Sequence, residues 1–326
     1  MIIEESHQGH WQHQLSVLGV FGALAAVSVV SAMAMFGGPK ELVFRAATRW
    51  FGGGLATLLR KETLVLAGAG RLPVHTLTFR APGGRRCLGL RTALGDVLKV
   101  VVPGHKPKSY SVSAEHKDED GQFSFDVTFK VYPDGRASGF LDRLQPGDSA
   151  MVFHQEKYER AQPAGAITHV GLVALGVGIT EALPIATAEL ERSKDTHVLL
   201  LWTSRTPADT FWHARLSELR RCHGARFRLV RMYSRWEQEQ AKLAVQEDGM
   251  WQPLHGRVDS QVLARVFDEA WGPTFDRSGA RFVSVGTKEM MKGVDQMLCE
   301  IGYDMPAHAL LQSRNKLAMF FQRPRL

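Results

Sequence analysis

Two short clusters in this chain combine residue types that can hold a phosphorylated ligand. In the first, Val170 to Leu190, an apolar run enters a Gly-x-Gly turn (Gly176, Gly178), Thr180 follows, and a helical pattern begins. Glycines let a backbone come close to an anion, and the free N–H groups at the start of a helix point at it. Two glycines at the end of a buried strand also serve as a plain tight turn into a helix. The second cluster, Lys108-Ser109-Tyr110-Ser111, lies upstream and puts a cation, an aromatic ring and hydroxyls side by side. Metal chemistry finds less support. Cys87, Cys222 and Cys299 are far apart and form no C-x-x-C pair, which argues against a structural zinc, a redox pair or a Cys-ligated iron–sulfur cluster. Such sparse cysteines fit a reducing compartment. His7, His10 and His13 are spaced by three, but read as part of a polar tail, so no metal site is expected.

The elements that must position these clusters fall into two halves. From 63 to 155, short alternating runs are separated by turn signals: LVLAG (64–68), HTLTFRAP (75–82), DVLKVVV (96–102), SFDVTFKVY (124–132) and SAMVF (149–153). Pro82-Gly83-Gly84, Pro103-Gly104, Pro133-Asp134-Gly135 and Pro146-Gly147-Asp148 mark the turns, and Ser138 to Leu144 reads as a short helix. Closely spaced strands of this kind predict an antiparallel β-barrel. A polar hinge (155–166) leads to a second domain, 166–326. There the apolar runs 171–177, 197–203, 226–234 and 281–287 alternate with helical patterns near 180–193, 208–222, 259–269 and 288–301. That alternation predicts an α/β domain with a parallel sheet covered on both faces, which binds ligands beyond the C-terminal ends of its strands.

The N-terminal region has a different character. No Lys, Arg, Asp or Glu occurs from Ser6 to Pro39, and Leu15 to Phe36 is almost wholly apolar. As a helix that stretch would span about 33 Å, close to the hydrocarbon thickness of a bilayer. Residues 1–14 carry Glu4 and Glu5 but no Lys or Arg, unlike a cleaved signal. The expected order is therefore a polar tail (1–14), a transmembrane helix (15–37) and an amphipathic linker (38–62) with Lys40, Arg45, Arg49, Arg60 and Lys61. Those basic residues place the folded domains on the cytoplasmic side. The +7 net charge favours acidic partners or anionic membrane lipid. The 40 Lys and Arg are dispersed without an aromatic-basic ladder, so no nucleic-acid partner is expected.

From 63 onward, the chain resembles the ferredoxin–NADP reductase superfamily, and most of all its NADH–cytochrome b5 reductase branch. HTLTFRAP is similar to that family's opening strand, KSYS to its R-x-Y-[ST] motif, and FKVYPDGRASGFLDRLQPGD to its K-V-Y strand and G-x-x-S turn. GVGIT is similar to its G-x-G-[IV]-T motif, WTSRTPADTFWHARLSEL to the segment that sorts NADH from NADPH, and GTKEMMKGVDQML stands where it has C-G-P-P and a helix. The resemblance implies an FAD-binding barrel and a domain for NADPH or NADH. Tyr110 would lie against the flavin ring, Ser111 would reach its polar edge, and Lys108 would pair with its pyrophosphate. Lys130 and Tyr132 would flank the flavin's chain, while Gly135, Arg136, Ala137 and Ser138 open a helix onto the phosphates. Gly176, Gly178 and Thr180 would line the nicotinamide with Gly286, and Ser204 and Arg205 stand where the nucleotide's ribose is sorted. Arg205 tips the expectation towards NADPH, although it also fits a solvated charge, with Asp209 the cap of the following helix. Tyr110, Ser111 and Thr180 are the candidates closest to the chemistry.

Departures from the pattern are informative. Lys108 replaces the family's Arg and keeps its charge without the bidentate fork. Glu181 stands where the family has Pro after G-x-G-I-T, and Val285 where it has the cysteine that abuts the nicotinamide. With the apolar N-terminal stretch, the resemblance implies a membrane-anchored flavin oxidoreductase passing electrons from NAD(P)H through FAD to a one-electron acceptor such as an acidic, cytochrome b5-like haem protein. Endoplasmic reticulum, mitochondrial and bacterial inner membranes all fit. The changes at Glu181 and Val285 also fit a non-catalytic or slow scaffold subunit of a membrane complex.

Overall fold

The structure is a computed structural model that describes residues 53–68, 70–84, 96–156, 158–159, 167–235, 253–272, 275–303 and 312–313. The expected polar tail and transmembrane helix, the first part of the linker, His7, His10, His13 and Cys87 lie outside the described residues. Among the described residues no helix is long and apolar enough to cross a membrane.

The first half is a seven-stranded sheet in the order β4-β3-β7-β1-β2-β6-β5, with every neighbouring pair antiparallel. Its strands are β1 (Gly54–Val65), β2 (Val74–Arg80), β3 (Asp96–Val100), β4 (Lys108–Tyr110), β5 (Val112–Lys117), β6 (Phe123–Lys130) and β7 (Ser149–Glu156). The edge strands β4 and β5 are separated in the chain by Ser111 alone, so the sheet must curl until its two edges meet at that residue. Alternation along β2 and β6 turns Leu77, Phe79, Phe125 and Val127 into the curled interior, where Phe79 and Phe125 stack at 5.8 Å. Helix α1 (Arg136–Arg143) closes one end, burying Leu141 in the same core.

Residues 54–62, expected within the amphipathic linker, form most of β1 and pair with both β2 and β7. Their leucines are spaced as on a helix, but the strand buries Ala56 and Leu58 and leaves Leu55 and Leu59 exposed. A register shift between Leu58 and Arg60 accommodates the break in alternation. Strands β4 and β5 were also absent from the expectation.

The second half is a five-stranded parallel sheet, order β12-β11-β10-β9-β13. A two-residue strand, β8 (Tyr158–Glu159), precedes it and pairs with β14 (Gln312–Ser313). The strands are β9 (His169–Leu175), β10 (His197–Ser204), β11 (Phe227–Tyr233), β12 (Leu254–His255) and β13 (Ala280–Val285). Both faces are covered, which is why β9 and β10 read as unbroken apolar runs. One face packs under α2 (Ile179–Arg192) and α3 (His213–His223), joined by Val65 and Val74 of the barrel. The other packs under α4 (Ser260–Trp271) and α5 (Lys288–Glu300). The chain enters at β9, steps outward through β10 and β11, then returns to β13 on the far side of β9. That reversal opens a crevice beyond the C-terminal ends of β9 and β13.

Candidate functional site

The crevice and the curled sheet share one cavity of about 1110 Å³. From β4 and the junction beyond it come Lys108, Tyr110 and Ser111; from β6 and the turn after it come Lys130, Tyr132 and Gly135; from α1 come Arg136, Ala137 and Ser138. The opposite wall carries Gly176, Gly178 and Thr180 after β9, Ser204 and Arg205 after β10, and Gly286 after β13. Every residue singled out in the sequence as a cofactor contact therefore borders the same space, although they span the chain from 108 to 286.

The barrel wall is shaped by side chains. Tyr110 is half-buried and meets the Phe129 ring edge-on at 6.1 Å. Burial pushes its phenol up to about 12, and the neighbouring Tyr132 adds to the shift, so the ring stays neutral. Burial lowers the Lys130 ammonium from its ordinary value; Asp209 opposes that and Arg205 adds to it. Ser138 accepts a hydrogen bond from the Tyr132 amide (3.1 Å) and donates one to the Gly135 carbonyl (3.0 Å), fixing the turn that opens α1. Gly135 is needed there, because a Cβ would lie 2.1 Å from Ser138 Oγ.

The parallel-sheet wall is shaped by backbone. Gly176 has φ of 61°, in the left-handed region that favours glycine, and a Cβ there would meet nothing within 4 Å. A Cβ on Gly178 would lie 2.3 Å from the Val285 carbonyl oxygen, so α2 can start against β13 only with glycine at that position. The Trp202 indole, fully buried on β10, donates to the Gly176 carbonyl at 2.8 Å and holds the turn from beneath. Val285 is buried at the end of β13 and backs this glycine turn.

Two charged residues on this wall are already engaged. Arg205 donates to the buried Asp209 at 3.1 Å. Asp209 also accepts from the Thr206 amide (3.2 Å) and hydroxyl (2.8 Å), capping a short turn at 207–209. The helix expected from 208 starts instead at His213, after Trp212 with φ of 60°. So Asp209 caps that turn and does not start α3. Glu181, in the first turn of α2, accepts a hydrogen bond from Ser111 at 2.8 Å, joining the two walls across the cavity. A second bond between the halves runs from Arg215 to the Ser113 carbonyl, 2.8 Å, with the Arg215 guanidinium lying 4.1 Å over the Trp212 ring.

Sequence reasoning had not placed several residues in the site. Phe129 and Thr128 lie beside Lys130 on β6, Arg257 and Val258 follow β12, and Thr287, Met290, Gly293 and Met297 line the cavity from α5. The alternation of β6 was a signal for the first pair; β12, only two residues long, left none.

Residues 172–296 match the family model described as the oxidoreductase NAD-binding domain. The structure superposes with the crystal structure of a ferredoxin NADP+ reductase from Neisseria gonorrhoeae with bound FAD and NADP at a TM-score of 0.54 and 17% identity, covering 78% of this chain and 97% of that one. The chain thus carries an oxidoreductase NAD-binding domain and has the fold of the ferredoxin–NADP reductases. It also superposes with the cytochrome b5 reductase domain of Ulva prolifera nitrate reductase at a TM-score of 0.59 and 19% identity, covering 79% of this chain and 96% of that one. It is 32% identical over 142 residues to an NADH-cytochrome b5 reductase-like protein of Arabidopsis thaliana, a stretch that is 42% of this chain and 40% of the relative. The chain spans about half the length of the curated relatives it matches.

The donor set suits a flavin and a nicotinamide nucleotide. The turns that lead into α1 and α2 at the cavity both contain glycines, and the barrel wall offers two cations, Lys108 and Arg136. Ser204 borders the cavity, but its Oγ is sealed from solvent and has no hydrogen-bond partner among the described residues.

Proposed function

We propose that this chain is a flavin-dependent NAD(P)H oxidoreductase, holding FAD on the barrel wall and NAD(P)H on the parallel-sheet wall. The observation that carries the reading is the single cavity in which Tyr110 and Ser111 face Gly178 and Thr180. A bound flavin supplies the conversion between two-electron and one-electron transfer. The protein's own task is positional. Lys108, Arg136 and the first turn of α1 neutralise a pyrophosphate, and the neutral Tyr110 ring, braced by Phe129, offers a flat apolar surface. Gly176 and Gly178 let a nucleotide approach the backbone, with Thr180 beside the nicotinamide. Arg205 favours the phosphate of NADPH, but its bond to Asp209 offsets part of its charge.

In this reading the electrons leave to a separate one-electron acceptor. An acidic haem protein of the cytochrome b5 kind suits the basic charge of the chain, and the apolar stretch 15–37 would anchor both reactions at a membrane facing the cytoplasm. The test is the visible spectrum of the FAD-loaded full chain under anaerobic NADPH and then NADH. Flavin bands that bleach support the oxidoreductase. A chain that takes up no FAD overturns it. The scaffold reading is favoured by the Ser111–Glu181 contact across the cavity, and flavin bands that persist under both nucleotides would support it.

A further inference from the structure

Among the described residues, a hydrogen bond joins the two walls of the cavity, between Ser111 Oγ and Glu181 Oε2, 2.8 Å apart and 70 residues apart in the chain. Both residues line the cavity and both are half-buried. Ser111 is the single residue at which the barrel's two edge strands meet, so its backbone is tied to both edges of the barrel. Glu181 stands in the first turn of α2, where the helix field favours a carboxylate, and its bond to a hydroxyl is charge-assisted. Its charge sits at the helix end that the glycine turn would otherwise present to an incoming anion.

A planar ring seated between these walls needs roughly 3.5 Å on each face, hence about 7 Å between the atoms that flank it. Between Ser111 and Glu181 the 2.8 Å contact leaves no such gap, although the cavity is open on either side of it. The other bond between the halves, Arg215 to the Ser113 carbonyl, uses residues that do not line the cavity and can persist while the walls part. We propose that Glu181 is a positioning residue that latches the nucleotide wall to the barrel wall through Ser111, and that an entering nicotinamide nucleotide must break this bond. The latch sets how tightly the nucleotide is held: a protein that spends part of its time closed binds with an affinity reduced by the closed fraction. This rests on the nucleotide reading given above.

The experiment is calorimetric titration of the FAD-saturated full chain with NADP+ and with NAD+. Glu181→Ala should tighten binding by about 3- to 10-fold, the range expected when a closed form held by one charge-assisted hydrogen bond is removed. Ser111→Ala should tighten it in the same direction, and the double variant should gain no more than the larger single effect. Glu181→Gln, nearly isosteric, guards against an unfolded alanine variant; it keeps an acceptor without the charge and should tighten binding by about 2-fold. Equal affinity in the parent and the Glu181 variants overturns the latch. Tightening by Glu181→Ala without tightening by Ser111→Ala also overturns it, because the effect then belongs to charge alone. Binding of neither nucleotide to any form overturns the nucleotide reading itself, and the latch with it.

Discussion

The two walls of the cavity do their work by different physics. The barrel wall presents side chains: Lys108, Lys130 and Arg136 supply charge, and Tyr110 and Phe129 supply a flat apolar surface. The parallel-sheet wall presents mainly backbone: Gly176, Gly178 and Gly286 thin the wall, and two of its charged groups, Arg205 and Glu181, are tied to Asp209 and Ser111. A wall built from flexible charged side chains should lose affinity by degrees when altered. A wall built from close backbone contacts should fail abruptly. The contrast sets the order of the tests.

The largest effect is expected at Gly178. A methyl group there would lie 2.3 Å from the Val285 carbonyl oxygen and 3.3 Å from the Val285 side chain, and neither is a flexible tip. Gly178→Ala should cost about 1–3 kcal/mol of stability, the usual range for overpacking, and weaken nucleotide binding by at least about 10-fold. Urea unfolding with calorimetric titration measures both. A variant that keeps parental stability and affinity would show that this wall is as forgiving as the other.

On the barrel wall the matching test is Lys108, which is exposed. Lys108→Ala should weaken FAD binding by about 3- to 10-fold, with the loss shrinking at high salt, as for any exposed charge. Lys108→Arg should strengthen binding several-fold, because a guanidinium reaches two phosphate oxygens at once. Fluorescence titration of FAD at low and high salt reads both. A loss that does not change with salt would mean that Lys108 acts through packing and would blur the contrast between the walls.

Trp202 tests whether the backbone wall needs support from beneath. Trp202→Phe keeps most of the buried ring and removes the 2.8 Å bond to the Gly176 carbonyl. A loss of about 1 kcal/mol in stability is expected, with nucleotide affinity down about 2- to 5-fold. FAD affinity should stay as in the parent, since the lost bond supports the Gly176 turn of the parallel-sheet wall and not the barrel wall. Equal losses for both ligands would mean that the two walls move as one body.

Much of this arrangement is legible in the sequence, and the exceptions share a cause. The parallel strands and the glycine turn after β9 stand out because a sheet covered on both faces writes an unbroken apolar run. The opening of α1 stands out because its Pro-Asp-Gly turn and the serine that follows are local chemistry. The first half of β1 misleads because Leu55, Leu58 and Leu59 match a helical period, and only pairing with β2 and β7 settles their direction. Strands β4 and β5 give no comparable signal: the three residues of β4 carry no period, and burial along the six of β5 does not alternate. Glu181 was visible as an odd residue in a familiar place. Its bond to Ser111 was not, because it depends on how two domains dock.

The smallest expected effect decides what Arg205 does. As the protein stands, its guanidinium is held by Asp209, whose other oxygen takes the amide and hydroxyl of Thr206. Asp209→Asn can keep the Thr206 cap with its one carbonyl oxygen while turning an amide towards Arg205, which releases the guanidinium. If Arg205 faces the ribose of the nucleotide, its freed charge should raise the preference for NADPH over NADH by about 2- to 5-fold, the scale of one partly exposed ion pair. The ratio of the two dissociation constants is the readout, and because both are measured on the same variant, a general loss of stability cancels. An unchanged ratio would place Arg205 away from the ribose and make its bond to Asp209 a feature of the turn alone. The wall would then meet the ribose without help from Arg205, whose charge is spent on the turn.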